Sequence, residues 1–147
     1  MLERRKGVTI VAVSSMAGLS WGGQTTLKYC ASKFAIMGLM LSLERELAQS
    51  DEGRNIRLST VCPAILSKGF ECTGLPFLSN WFPSIFPSMD VQVAAQEVVT
   101  RILREEDVII LPASFSLMHR LSLLLPHKVG RLVQEYLDYM VNPSVVD

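Results

Sequence analysis

Tyr29 and Lys33 stand four residues apart in the run Tyr29-Cys30-Ala31-Ser32-Lys33-Phe34-Ala35. On a helix that spacing places both side chains on one face, a turn apart. A free tyrosine gives up its proton only near pH 10, and a neighbouring ammonium favours the phenolate. The pair is therefore suited to exchanging a proton with a reacting oxygen. Ser14 and Ser15, followed by Met16-Ala17-Gly18, supply hydroxyls upstream of the pair. Tyr-x-x-x-Lys by itself is common in helices, where it is an ordinary surface tyrosine and lysine. The surrounding elements give it weight.

Val8-Thr9-Ile10-Val11-Ala12-Val13 is β-branched and nearly all apolar. Such a run reads as a strand buried on both faces, as in a parallel sheet. A small-residue loop follows from Ser14 to Thr26, then a helical pattern from about Leu27 to Gln49. That helix is apolar nearly all round, which predicts burial on more than one side. Ile56 to Val61 reads as a second strand, ended by Pro63. Residues 64 to 88 carry Pro76, Pro83, Pro87, Phe77, Trp81, Phe82 and Phe86. A loop of that length is expected to be a lid or binding loop, here a wall for an apolar substrate. Ser88 or Asp90 can cap a helix from Val91 to about Glu105, with Val91, Ala94, Ala95, Val98, Val99, Ile102 and Leu103 as its apolar face. Val108-Ile109-Ile110-Leu111 is a third buried strand, and two helices follow, at about 113–140. Strands alternating with helices predict an α/β fold with a parallel sheet.

The 147 residues suit one domain. At 49% hydrophobic and 19% charged residues the chain is not disordered. Fourteen Lys+Arg balance fourteen Asp+Glu, which argues against nucleic acid as a partner. Cys30, Cys62 and Cys72 match no zinc spacing and no disulfide framework, and His119 and His127 have no metal-ligand context, so no metal site is predicted. The opening Met1-Leu2-Glu3-Arg4-Arg5-Lys6-Gly7 is polar, so no signal peptide is read. No apolar run is long enough to span a bilayer. Leu111 to Pro126 is the most membrane-like segment, and it can lie on a membrane without crossing it.

The strand with Ser-Ser-x-Ala-Gly at 14–18, the Tyr-x-Ala-Ser-Lys-Phe-Ala helix at 29–35 and the strand running into Cys62-Pro63 resemble the short-chain dehydrogenase/reductase family. The likeness covers the C-terminal half of a family member. The wording of 29–35, with Leu111-Pro112, Leu123-Leu124-Leu125-Pro126, Gly130 and Tyr136-Leu137, is similar to the membrane-associated retinol and 17β-hydroxysteroid dehydrogenase branch. The resemblance implies a partial Rossmann-type doubly wound parallel sheet over residues 1–147, with three strands, flanking helices and the first strands missing. It implies NAD or NADP as cofactor and an apolar alcohol, retinoid or steroid, exchanged with its carbonyl. Tyr29 would be the acid/base, Lys33 would tune it and hold the nicotinamide ribose, and Ser15, or else Ser14 beside it, would orient the substrate. Tyr29, Lys33, Pro63, Ala64 and Ile65 would line the cofactor. A homodimer through the Tyr-bearing helix is implied, as is a place on the cytosolic face of the endoplasmic reticulum or on lipid droplets.

The chain also departs from the family. The Gly-x-x-x-Gly-x-Gly turn that cradles the pyrophosphate does not occur in it, and Gly22-Gly23 follows the wrong strand. Ser15 and Tyr29 are one position further apart than is usual. Lys68 precedes Gly69 where the branch carries a Thr. Residues 1–7 resemble the end of an upstream helix, so Met1 reads as an internal methionine. Two consequences are expected: one side of the first strand and one face of the Tyr-bearing helix are uncovered, and the chain alone binds cofactor poorly. A non-catalytic dimerisation or interaction fragment is the alternative to an enzyme.

Overall fold

A computed structural model describes residues 7–19, 27–51, 53–64 and 89–141. Three strands, β1 (Val8–Val13), β2 (Ile56–Pro63) and β3 (Val108–Leu111), form a sheet in the order β1-β2-β3. Both pairings are parallel, with Val13 opposite Val61 and Pro63 opposite Leu111 at the carboxyl ends. The helices are α1 (Leu27–Leu47), α2 (Val91–Leu103), α3 (Ala113–Ser122) and α4 (His127–Val141). Short 3-10 turns occupy Met16–Gly18 and Gly53–Asn55.

Alternation along β2 and β3 sends side chains to two cores. Cys62 and Ile110 meet Met37 of α1 and Phe115 of α3, with Met16, Leu19 and Ala64 packed around them. Val61, Ile109 and Leu111 point the other way, against Ala94, Val98 and Ile102 of α2. Helices thus cover both faces of the sheet, the doubly wound arrangement of a partial Rossmann-type fold. Asp90 makes the α2 cap: its carboxylate accepts from Gln92 N at 2.8 Å and from Val93 N at 3.5 Å.

The strand positions agree with the apolar pattern, but their burial differs from it. β1 is not buried on both faces: Val8 and Val13 are 61% and 60% exposed, and Ile10 and Val11 are also exposed. It has β2 on one side and no strand on the other among the described residues. Nor is α1 buried on several sides, since only Cys30, Met37 and Met40 are buried while Phe34, Leu39 and Leu41 are exposed. The face of α2 is narrower than its composition implies. Ala94 is buried, but Val91, Val99 and Leu103 are exposed. The exposure of β1 and of one α1 face matches what three strands can cover.

A side chain meets the far edge of the sheet. Thr60 N donates to Asp107 O and Ala64 N donates to Leu111 O, so the odd-numbered carbonyls of β3 face β2. Ile110 O therefore faces outward, and Arg101 Nη1 donates to it at 2.7 Å. The same guanidinium pairs with the Glu106 carboxylate at 2.7 Å.

Candidate active site

Four of the residues singled out by the sequence gather at the carboxyl ends of β1 and β2, where open α/β sheets bind ligands. Beyond Val13 the chain leaves β1, and Ser15, in extended conformation, caps the turn at Met16–Gly18. Its hydroxyl accepts from Ala17 N at 3.2 Å and donates to Pro63 O at 3.3 Å. Ser15 thus knits the end of β1 to the end of β2. Its proton is committed to the Pro63 carbonyl, so it must rotate before it can donate to a substrate oxygen.

Ser14, the sequence's alternative to Ser15, makes the second link. It is almost wholly buried, and its Oγ donates to Lys33 O at 3.0 Å. Gly18 makes the third. A β-carbon there would lie 2.6 Å from Ser14 Oγ and 2.7 Å from Lys33 O. Only a residue without a side chain lets the turn approach α1 this closely. The small-residue run Ser-Ser-x-Ala-Gly is thus a docking surface for the backbone of α1 at Lys33. The repeated small residues were visible in the sequence; the surface they meet was not.

The other side of Lys33 carries its chemistry. Nζ donates to Val13 O at 3.2 Å and lies 5.5 Å from the centroid of the Tyr29 ring, over its face. The ammonium therefore sits between the end of β1 and the phenol, as the four-residue spacing predicts, and the contact has cation–π character. Ser32 Oγ donates to Tyr29 O at 2.7 Å. Beneath the site lies Cys62, fully buried, with Sγ 3.7 Å from Met37 Sδ. Burial pushes its thiol up to about 11, an effect opposed in smaller measure by the Ser14 hydroxyl, the Ser15 backbone and the Lys33 charge. Cys62 is a packing residue and not a nucleophile.

The other cofactor candidates divide. Pro63 ends β2 and offers its carbonyl to Ser15. Ala64 N is spent on Leu111 O at 2.8 Å, and its side chain packs against the core of Met37, Cys62, Ile110 and Phe115. Ile65, the loop to residue 88 and the Lys68-Gly69 departure lie outside the described residues. Among the described residues no group of three or more His, Cys, Asp or Glu could hold a metal. A cation and a phenol at the carboxyl ends of parallel strands fit a ribose hydroxyl pair and a reacting oxygen. No cradle for a pyrophosphate occurs among these site residues.

Comparison with known proteins agrees with this geometry. Residues 1–71, which include Ser15, Tyr29, Lys33 and Pro63, match the family model described as short chain dehydrogenase. The chain is 36% identical over 134 residues to epidermal retinol dehydrogenase 2 of Homo sapiens, covering 89% of this chain and 40% of that protein. It is 31% identical over 130 residues to estradiol 17-beta-dehydrogenase 11 of Mus musculus, covering 88% and 40%. With 17-beta-hydroxysteroid dehydrogenase 13 of Homo sapiens it shares 27% over 135 residues, covering 90% and 41%. The chain spans about two fifths of the length of these curated relatives.

Proposed function

Because the chain belongs to the short-chain dehydrogenase/reductase family, in the retinol and hydroxysteroid dehydrogenase branch, we propose that it carries the catalytic half of an NAD(P)-dependent dehydrogenase of apolar alcohols. The observation that carries this reading is Lys33 Nζ held between Val13 O and the Tyr29 ring at the ends of two parallel strands. The nicotinamide, when bound, supplies the hydride acceptor or donor. Tyr29 takes the proton of the alcohol oxygen, or returns it to the carbonyl oxygen. Lys33 provides the cation beside the phenol and a donor for ribose hydroxyls. Ser15, once its hydroxyl turns from Pro63 O, bonds the substrate oxygen. Retinoids and steroids are the substrate class proposed, on the printed activities of the relatives.

A chimera tests this reading. The aligned segment of human epidermal retinol dehydrogenase 2 is replaced by this chain, and retinol-dependent reduction of NAD or NADP is followed. The chimera turns over, and Tyr29→Phe lowers kcat by at least about a hundredfold, within the range for a general acid/base. A chimera that binds NADH but has no turnover, or one whose Tyr29→Phe form keeps full activity, overturns the assignment.

The exposed face of α1 favours a second reading beside the first: a homodimer through the Tyr-bearing helix, which would also let the chain act as a non-catalytic pairing fragment. Leu39 is 64% exposed, and a β-carbon at Gly38 would meet nothing within 4 Å. Sedimentation of the 147-residue chain distinguishes the states: Leu39→Glu abolishes a dimer built on this face and leaves any other unchanged. A place at the endoplasmic reticulum or lipid-droplet surface belongs to the same proposal.

A further inference from the structure

Lys33 is held at both of its ends by two residues that are neighbours in the chain. Val13 O accepts from its Nζ at 3.2 Å, and Oγ of Ser14, the next residue, donates to its carbonyl at 3.0 Å. The helical ladder of α1 already satisfies a carbonyl at that position, so the bond from Ser14 serves to tie the helix to the strand. The tie is rooted in the sheet, because Ser14 N donates to Val61 O at 2.8 Å. A lysine's flexible four-carbon stem ordinarily spreads its ammonium over many positions. Here the backbone and the tip of Lys33 share one anchor, the carboxyl end of β1.

Ser14 itself is enclosed. It is 2% exposed, and the Gly18 backbone lies so close that a β-carbon there would stand 2.6 Å from its Oγ. The fully buried Cys62 thiol is a further neighbour of the same hydroxyl. A hydroxyl set among the Lys33 backbone, the Gly18 backbone and Cys62 is walled off from a substrate oxygen. Ser15, one residue on, turns instead to the end of β2 at Pro63 O.

We infer that Ser14 is a positioning residue of the site: it acts through Lys33, whose place against β1 it sets, and it does not touch the substrate. The inference rests on the dehydrogenase reading above and gives the two adjacent serines different roles. Tyr29 stands one turn earlier on α1, so a shift of the helix at Lys33 moves the phenol away from the strand ends as well. Nζ then leaves Val13 O, and its position 5.5 Å from the centroid of the Tyr29 ring is no longer fixed. A misplacement of about 1 Å in a catalytic constellation can cost on the order of a hundredfold in rate.

Competitive acylation of the amines of the 147-residue chain, read by peptide mapping, tests the clamp without cofactor. Lys28, exposed on the same helix, is the internal reference. In the parent Lys33 is labelled more slowly than Lys28. Ser14→Ala raises the ratio of Lys33 to Lys28 labelling about fivefold, the worth of one neutral hydrogen bond, while Ser15→Ala leaves the ratio as in the parent. In the retinol dehydrogenase chimera Ser14→Ala lowers kcat by about tenfold and leaves KM for the alcohol unchanged. Circular dichroism reads whether each variant keeps the parent's secondary structure. If Ser14→Ala does not, Ser14→Cys carries the same test, since its thiol fills the space and is a weak donor. An unchanged labelling ratio in the folded variant overturns the inference, as does an equal rise in Ser15→Ala. So does an active chimera in which the Ser14 variant keeps its kcat or raises KM for the alcohol alone. A chimera with no turnover in its parent form sinks the dehydrogenase reading and leaves the labelling ratio to decide whether Ser14 positions Lys33.

Discussion

Gly18→Ala tests whether the site is built by close approach of the Met16–Gly18 turn to α1. The new β-carbon would stand 2.6 Å from Ser14 Oγ, 2.7 Å from Lys33 O and 2.8 Å from Lys33 C. Two of those neighbours are backbone of a helix and do not yield. The turn must therefore lift away from α1. Overpacking of this kind costs about 1–3 kcal/mol. The Ser14 Oγ to Lys33 O bond is lost with it, for about 1 kcal/mol more. The expected destabilisation is about 2–4 kcal/mol, a large part of the stability of a small domain. Gly38→Ala is the matched control, since its β-carbon meets nothing within 4 Å on the open face of α1. Removing a mid-helix glycine there stabilises by about 0.5–1 kcal/mol. Urea unfolding of the two variants reads both effects, with opposite signs from one chemical change. A Gly18→Ala chain within about 0.5 kcal/mol of the parent refutes the close-approach account, that margin being the usual scatter of surface substitutions.

Arg101 joins α2 to the outer edge of β3, and its side chain is largely buried. Arg101→Ala is expected to cost about 1.5–3 kcal/mol by thermal or urea unfolding, as hydrogen bonds to a charged group do. The hydrogen bond and charge of Arg101 hold the Glu106 carboxyl below its ordinary 4.5, with a smaller push from Arg104. The folded form then binds fewer protons than the unfolded one. That contribution is complete above about pH 4.5 and is lost as pH falls through the lowered value, and solvent screening keeps it below about 1 kcal/mol. Acid titration of stability is therefore shallower in Arg101→Ala. Burial lowers His119 below 6.5 and favours the neutral ring in the fold. Stability is full above pH 6.5 and declines below it, and His119→Gln flattens that limb of the unfolding profile. Alkylation at pH 8 followed by peptide mapping should leave Cys62 unlabelled until the chain unfolds, given a thiol raised to about 11 and no exposure. Labelling at the rate of a free thiol in the native state contradicts its burial.

Strand positions were legible in the sequence because β-branched runs and their prolines are local signals. The Val8–Val13, Ile56–Pro63 and Val108–Leu111 strands fall where those runs stand. Burial was less legible. An apolar run on both faces, as in Val8–Val13, records the neighbours a strand is built to have, and the described residues supply only one of them. Tyr29 and Lys33 were legible since helical spacing alone brings them together. Ser14 and Gly18 were not, because their role depends on where the turn meets the Lys33 backbone. That is a contact across fifteen or more positions of chain with no periodicity to announce it. The Arg101 bond to Ile110 O was invisible for the same reason: it follows from the parity of a ladder and not from residue type.

That parity gives the two margins of the sheet different fates. Ser14 N donates to Val61 O, so the even-numbered residues of β1 face β2, and the backbone groups of Thr9 and Val11 face outward. Lys33 takes the last outward carbonyl, at Val13, and leaves those of Thr9 and Val11 open among the described residues. At the opposite margin the guanidinium of Arg101 already fills the outward carbonyl of Ile110. Among the described residues, then, β1 keeps two open outward carbonyls, while β3 has one of its outward carbonyls taken. Two chains joining back to back along β1 would form an isologous pair, the same margin serving both copies.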